Sequence, residues 1–78
     1  MKSIISDLSE PVSLNEFSPT SRLVIQSKLS RGMEFIDLRM WNVWSSDNQE
    51  HPNYKNGLFI EKSVLKACID KIKAYIEA

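Results

Sequence analysis

Along residues 22–30 apolar and polar positions alternate with a period of two. Leu23, Ile25, Ser27 and Leu29 fall on one side, and Arg22, Val24, Gln26, Lys28 and Ser30 on the other, the pattern of a half-buried strand. A second run, RGMEFIDLRMWNVW, follows at once. Read as a strand over residues 33–44, it sets Met33, Phe35, Asp37, Arg39 and Trp41 on one face and Glu34, Ile36, Leu38 and Met40 on the other. Arg31-Gly32 separates the two runs at the spacing of a hairpin turn, with the glycine supplying a positive φ.

The pattern weakens elsewhere. Residues 1–11 show no clean period, and they read as a mobile arm or one short helical turn closed by Pro11. Residues 12–17 suit a short edge strand, and Ser18-Pro19-Thr20-Ser21 has turn composition. The polar stretch SSDNQEHPNYKN, residues 45–56, reads as a loop, and Gly57-Leu58-Phe59-Ile60 as a short apolar strand. Residues 61–78, EKSVLKACIDKIKAYIEA, lack Gly and Pro. There Leu65, Cys68 or Ile69, Ile72, and Tyr75 or Ile76 recur at helical spacing and make one apolar stripe. Glu61 or Ser63 stands where a first-turn cap belongs. The expected fold is α+β: a curved four-stranded antiparallel sheet followed by one C-terminal amphipathic helix. If the helix lies over the aliphatic side of the sheet, the side bearing Lys28, Phe35, Arg39 and Trp41 stays bare. Exposed rings at that density signal a binding surface.

Length adds a constraint. A domain of 78 residues buries only ~60% of the surface its unfolded chain exposes, so it is marginal alone. Cys68, the single cysteine, makes no internal disulfide, and no Cys/His cluster offers a zinc site. Dimerisation is the remaining source of burial. Ten basic and ten acidic side chains cancel, so net charge argues for no particular partner. Their distribution is less even: residues 21–40 hold Arg22, Lys28, Arg31 and Arg39 against Glu34 and Asp37, while Asp7, Glu10, Glu16, Asp47 and Glu50 lie outside. No apolar run reaches the ~20 residues of a membrane span. Residues 1–11 make a poor signal peptide, so an intracellular protein without a membrane partner is expected.

Each candidate residue has a plain reading and a chemical one. Phe35 and Trp41 serve either as platforms for unstacked bases or as buried contacts at a dimer interface or beneath the long loop. Trp44 competes with Trp41 for the same role, depending on a bulge near Asn42. Arg39, two residues from Asp37 on one face, is either an intra-sheet ion pair or a phosphate contact steadied by that carboxylate. Lys28, Arg31 and Lys55 count only as a set lining a groove. Tyr54 either stacks or anchors its loop. The helix lysines, His51 and Cys68 read as solvated charge, loop residue and apolar-stripe residue. Nothing resembles an acid–base pair, a metal cluster or an activated nucleophile, so neither catalysis nor a cofactor is expected.

The run RGMEFIDLRMW, a polar loop and NGLFIEKSVLKACIDKI together resemble the positive cofactor four family of transcriptional coactivators. Ile36-Asp37-Leu38-Arg39 matches that family's strand core, Gly57-Leu58-Phe59-Ile60 its last strand, and the likeness spans residues 21–78. The resemblance implies a single-stranded DNA-binding domain over residues 15–78, with residues 1–14 as an N-terminal arm or short edge element. It also implies a two-fold homodimer and an open sheet face for unpaired strands. On that likeness Arg39 contacts the backbone, and Lys28 and Arg31 flank the hairpin. Three positions depart from the family: Ser30 where an aromatic is frequent, Asn42 for the second aromatic, and Asn56 for the lysine before Gly57.

The expected function is therefore non-catalytic binding of single-stranded DNA, with RNA as a variant. Lys28, Arg31, Phe35, Arg39, Trp41, Trp44 and Lys55 would be the contact residues. The setting would be transcription, with its machinery as a further partner, or replication and repair. The alternative is a dimeric protein-interaction adaptor that binds no nucleic acid, for which the zero net charge speaks.

Overall fold

A computed structural model describes residues 4–78. The part of the expected arm on residues 1–3 lies outside them. The elements are β1 (Ile5–Asp7), β2 (Val12–Ser18), β3 (Ser21–Ser30), β4 (Met33–Val43), β5 (Glu50–Glu61) and α1 (Lys62–Glu77). All five strands belong to one antiparallel sheet, followed by the single helix, so the class is α+β. The sheet has five strands rather than four, because residues 5–7 are a strand and not a helical turn. β4 occupies one edge of β3 along its whole length, whereas β1 and β2 share the other. β1 pairs with Lys28–Ser30 and β2 with Ser21–Ile25, so they lie end to end.

The β3–β4 register follows the alternation read from the sequence: Arg22 faces Trp41, Val24 Arg39, Gln26 Asp37 and Lys28 Phe35. Opposed residues share a face, so rings and charges do lie together. Arg31 (φ 54°) and Gly32 (φ 73°) both take the left-handed region between Ser30 and Met33. This is the backbone of a primed two-residue hairpin turn, whose twist matches that of its strands.

The expected loop over residues 45–56 ends early, because β5 begins at Glu50. Val43, Asn42 and Trp41 pair with Glu50, His51 and Pro52. A polar segment with a proline hides this strand from a hydrophobicity pattern, but β5 is an edge strand, where proline is tolerated. The register then jumps from Trp41–Pro52 to Arg39–Gly57, so residues 53–56 stand against Met40 alone and bulge from the ladder.

Which face is covered is the main departure from expectation. The buried side chains are Val24 (1% exposed), Gln26, Ser30, Asp37 (7%) and Arg39 (6%), all on the mixed face. The aliphatic face, with Leu23, Ile25, Ile36 and Leu38, is only half-buried. Edge segments meet the mixed face: Gln26 Nε2 donates to the Ser9 carbonyl at 3.0 Å, and Arg39 Nη1 to the Asn53 carbonyl at 3.2 Å. The helix does not blanket the aliphatic side. Leu65 is its one half-buried residue, while Val64, Cys68, Ile69, Ile72, Tyr75 and Ile76 are exposed. Its first turn has no side-chain cap on the backbone, and Ser63 Oγ instead donates to Glu61 Oε1 at 2.7 Å.

The chain is accordingly open. It exposes 6256 Å² at 9.0 kDa, against about 4,900 Å² for a compact monomer of that mass. Its radius of gyration of 14.2 Å exceeds the roughly 11.5 Å of a compact domain this long.

Candidate nucleic-acid interface

Two adjoining hollows lie on the mixed face. One, of about 260 Å³, is lined by Ile5, Lys28, Asp37, Arg39, Tyr54 and Phe59. The other, of about 360 Å³, is lined by Ile5, Ser30, Arg31, Met33, Phe35 and Phe59. Ile5 and Phe59 border both, so the two lie side by side as one grooved area of the face. It collects Lys28, Arg31, Phe35 and Arg39 from the residues expected to bind. Trp41, Trp44 and Lys55 line neither hollow.

The rings have defined places. Phe35 and Phe59 meet edge to face with centroids 4.6 Å apart. Phe59 enters the groove because β5 pairs it with Asp37, a register that its short apolar run does not disclose. Tyr54, at the tip of the bulge and 78% exposed, sets its ring 5.4 Å from the Arg39 guanidinium carbon. Trp41 packs beneath the Arg22 guanidinium at 5.7 Å. Trp44 stacks on His51 with centroids 3.8 Å apart, so one of its two faces is taken.

Most cations of this face already have an acidic neighbour. Arg39 Nε donates to Asp37 Oδ1, and both side chains are more than nine-tenths buried. The Asp37–Arg39 contact that both readings of Arg39 share is formed. Arg22 donates through Nε and Nη2 to both oxygens of Glu50 at 2.7 Å. That bidentate bond holds Glu50 below the ordinary carboxylate range and Arg22 above its own. In the β4–β5 connection, Asp47 is pulled below its ordinary value by the Gln49 amide and then by His51, which bonds it at 2.6 Å. Lys55 lies in the bulge, exposed, with its amide donating to Asn53 Oδ1 at 3.0 Å.

Lys28 pairs with Asp7 at 3.0 Å, with the Asp7 side chain largely exposed. An exposed ion pair contributes only ~0.2–1 kcal/mol. An anionic ligand reaching Lys28 meets the repulsion of this carboxylate. Asp7→Asn is therefore expected to strengthen binding of a polyanion by about 1.5- to 5-fold, read by titration of a single-stranded oligonucleotide at low salt. Unchanged or weaker binding would remove Lys28 from the contact set.

No group of three or more His, Cys, Asp or Glu able to hold a metal occurs among the described residues. No helix among them is long and apolar enough to cross a membrane. Comparison with models of known protein families, with curated proteins and with solved structures gives no match.

Proposed function

We propose that the chain is a non-catalytic, homodimeric binder of single-stranded DNA, acting in transcription or on strands exposed during replication and repair. The observation that carries this reading is the pair of adjoining hollows that Phe35, Tyr54 and Phe59 line together with Lys28, Arg31 and Arg39. Rings stack on any base, at ~1–3 kcal/mol for each base held. Basic side chains at the rim follow the backbone. A duplex hides the base faces that these rings need, so unpaired strands are preferred. The resemblance of residues 21–78 to the positive cofactor four family supports the same reading.

Titration with single-stranded oligonucleotides tests it, followed by anisotropy of a labelled strand. Tyr54→Ala, at an exposed position, is expected to weaken binding by about 1–3 kcal/mol with the thermal transition unchanged. An unaltered isotherm would take Tyr54 out of the interface. The neutralised cations Lys28, Arg39 and Arg22 favour a second reading, the protein-interaction adaptor. A partner held by an aromatic anchor responds weakly to salt, whereas a polynucleotide is shed as salt rises.

A further inference from the structure

The smaller hollow has a floor unlike its walls. Its walls are Ile5, Tyr54 and Phe59, with Lys28 at the side, and its floor is the Asp37–Arg39 pair. Burying an ion pair is an inefficient way to stabilise a fold, since the desolvation penalty offsets the attraction. Apolar side chains at these two positions would serve a purely structural purpose as well.

The contacts within the pair leave capacity facing outward. Arg39 spends Nε on Asp37 Oδ1 and Nη1 on the Asn53 carbonyl. Asp37 Oδ2 and Arg39 Nη2 take no part in these two bonds. A carboxylate carries about four lone-pair sites and a guanidinium five N–H donors, so these bonds use only part of what the pair can offer to a ligand in the hollow that it lines. The hollow thus offers acceptor oxygens beside an N–H donor, between two rings. At about 260 Å³ it falls just below the ~300–1,000 Å³ of small-molecule sites, the scale of one heterocycle and not of a duplex.

We infer that this hollow takes one unstacked base and that its Asp37–Arg39 floor favours guanine. This rests on the single-strand reading above and adds a base preference to it. A carboxylate only accepts hydrogen bonds, and guanine alone among the four bases presents two adjacent donors, N1–H and N2–H, on its pairing edge. Next to them O6 accepts from the guanidinium. Adenine and cytosine offer the carboxylate one amine, and thymine one ring N–H. Tyr54 and Phe59 hold the ring whichever base enters, so they set affinity while the floor sets choice.

The test uses the full-length chain and a dT run with one central position varied among dG, dI, dA, dC and dT. The dG strand is expected to bind tighter than dA or dC by about 5- to 150-fold, the range of one good bidentate base contact. The dI strand, which lacks only the N2 amine, falls between. Tyr54→Ala lowers affinity for all five strands and keeps their order, whereas Asp37→Asn, if it folds, abolishes the dG advantage. Should dG bind no tighter than dA, or dG and dI bind alike, the base preference is wrong while strand binding stands. If none of the five binds at low salt, strand binding and base preference fall together.

Discussion

Gly57→Ala is expected to destabilise the protein strongly and to disorder its β5 edge. Gly57 lies opposite Arg39, and a Cβ there would sit 2.1 Å from the Arg39 Cβ and 2.7 Å from its Cα and from the Leu38 carbonyl oxygen. Two of these atoms are backbone, so no side-chain rotation relieves the clash. Overpacking in a tight site costs ~1–3 kcal/mol and at times more, against the roughly 4–12 kcal/mol that holds a chain of this length. The close approach has a purpose. It lets β5 re-enter the ladder directly after the bulge of residues 53–56, which carries the Asn53 carbonyl and the Tyr54 ring to Arg39. Thermal denaturation followed by circular dichroism reads the loss, and a variant as stable as the parent would show that the strands do not approach so closely.

The second large effect concerns the helix. Of its stripe, Ile69, Ile72 and Ile76 are exposed, and Leu58 on the half-buried aliphatic face is exposed as well. The excess of roughly 1,400 Å² over a compact monomer exceeds the ~800 Å² that each partner buries in a standard interface. A second copy covering stripe and sheet would account for it. The wild-type chain is therefore expected to sediment at twice its 9.0 kDa mass, with a melting temperature that rises with concentration. Ile69→Asp with Ile72→Asp should abolish the dimer and lower the melting temperature, since each charge would enter a dry interface. A wild-type chain that sediments as a monomer, with a concentration-independent transition, would contradict the homodimer.

The strands β3 and β4 and their hairpin were legible because strict alternation and a glycine leave few alternatives. The helix was legible from its spacing alone. What alternation cannot say is which face becomes covered. That depends on where residues 4–11 and 53–56 go, and neither segment carries a periodic pattern. The i, i+2 spacing of Asp37 and Arg39 puts them on one face, but it says nothing of Asn53 and Tyr54, whose carbonyl and ring meet Arg39 from a stretch that reads as loop. Pro52 hid the first half of β5 for the same reason. The run Gly57-Leu58-Phe59-Ile60 reads as a strand, but that Phe59 lines the hollows depends on the β4–β5 register beyond the bulge. Alternation puts Trp41 on the mixed face of β4, but it does not disclose the neighbours of the tryptophans: Trp41 lies under Arg22 and Trp44 against His51.

Binding of one oligonucleotide sequence as single strand and as blunt duplex, titrated across a range of salt concentrations, tests the proposed activity most directly. The single strand should bind measurably tighter than the duplex at every salt concentration. Its log affinity should fall linearly with log salt, with a slope of about −0.7 for each phosphate contacted. Equal affinity for both forms, or a single strand that fails to bind even at the lowest salt, would contradict a groove built for unpaired bases.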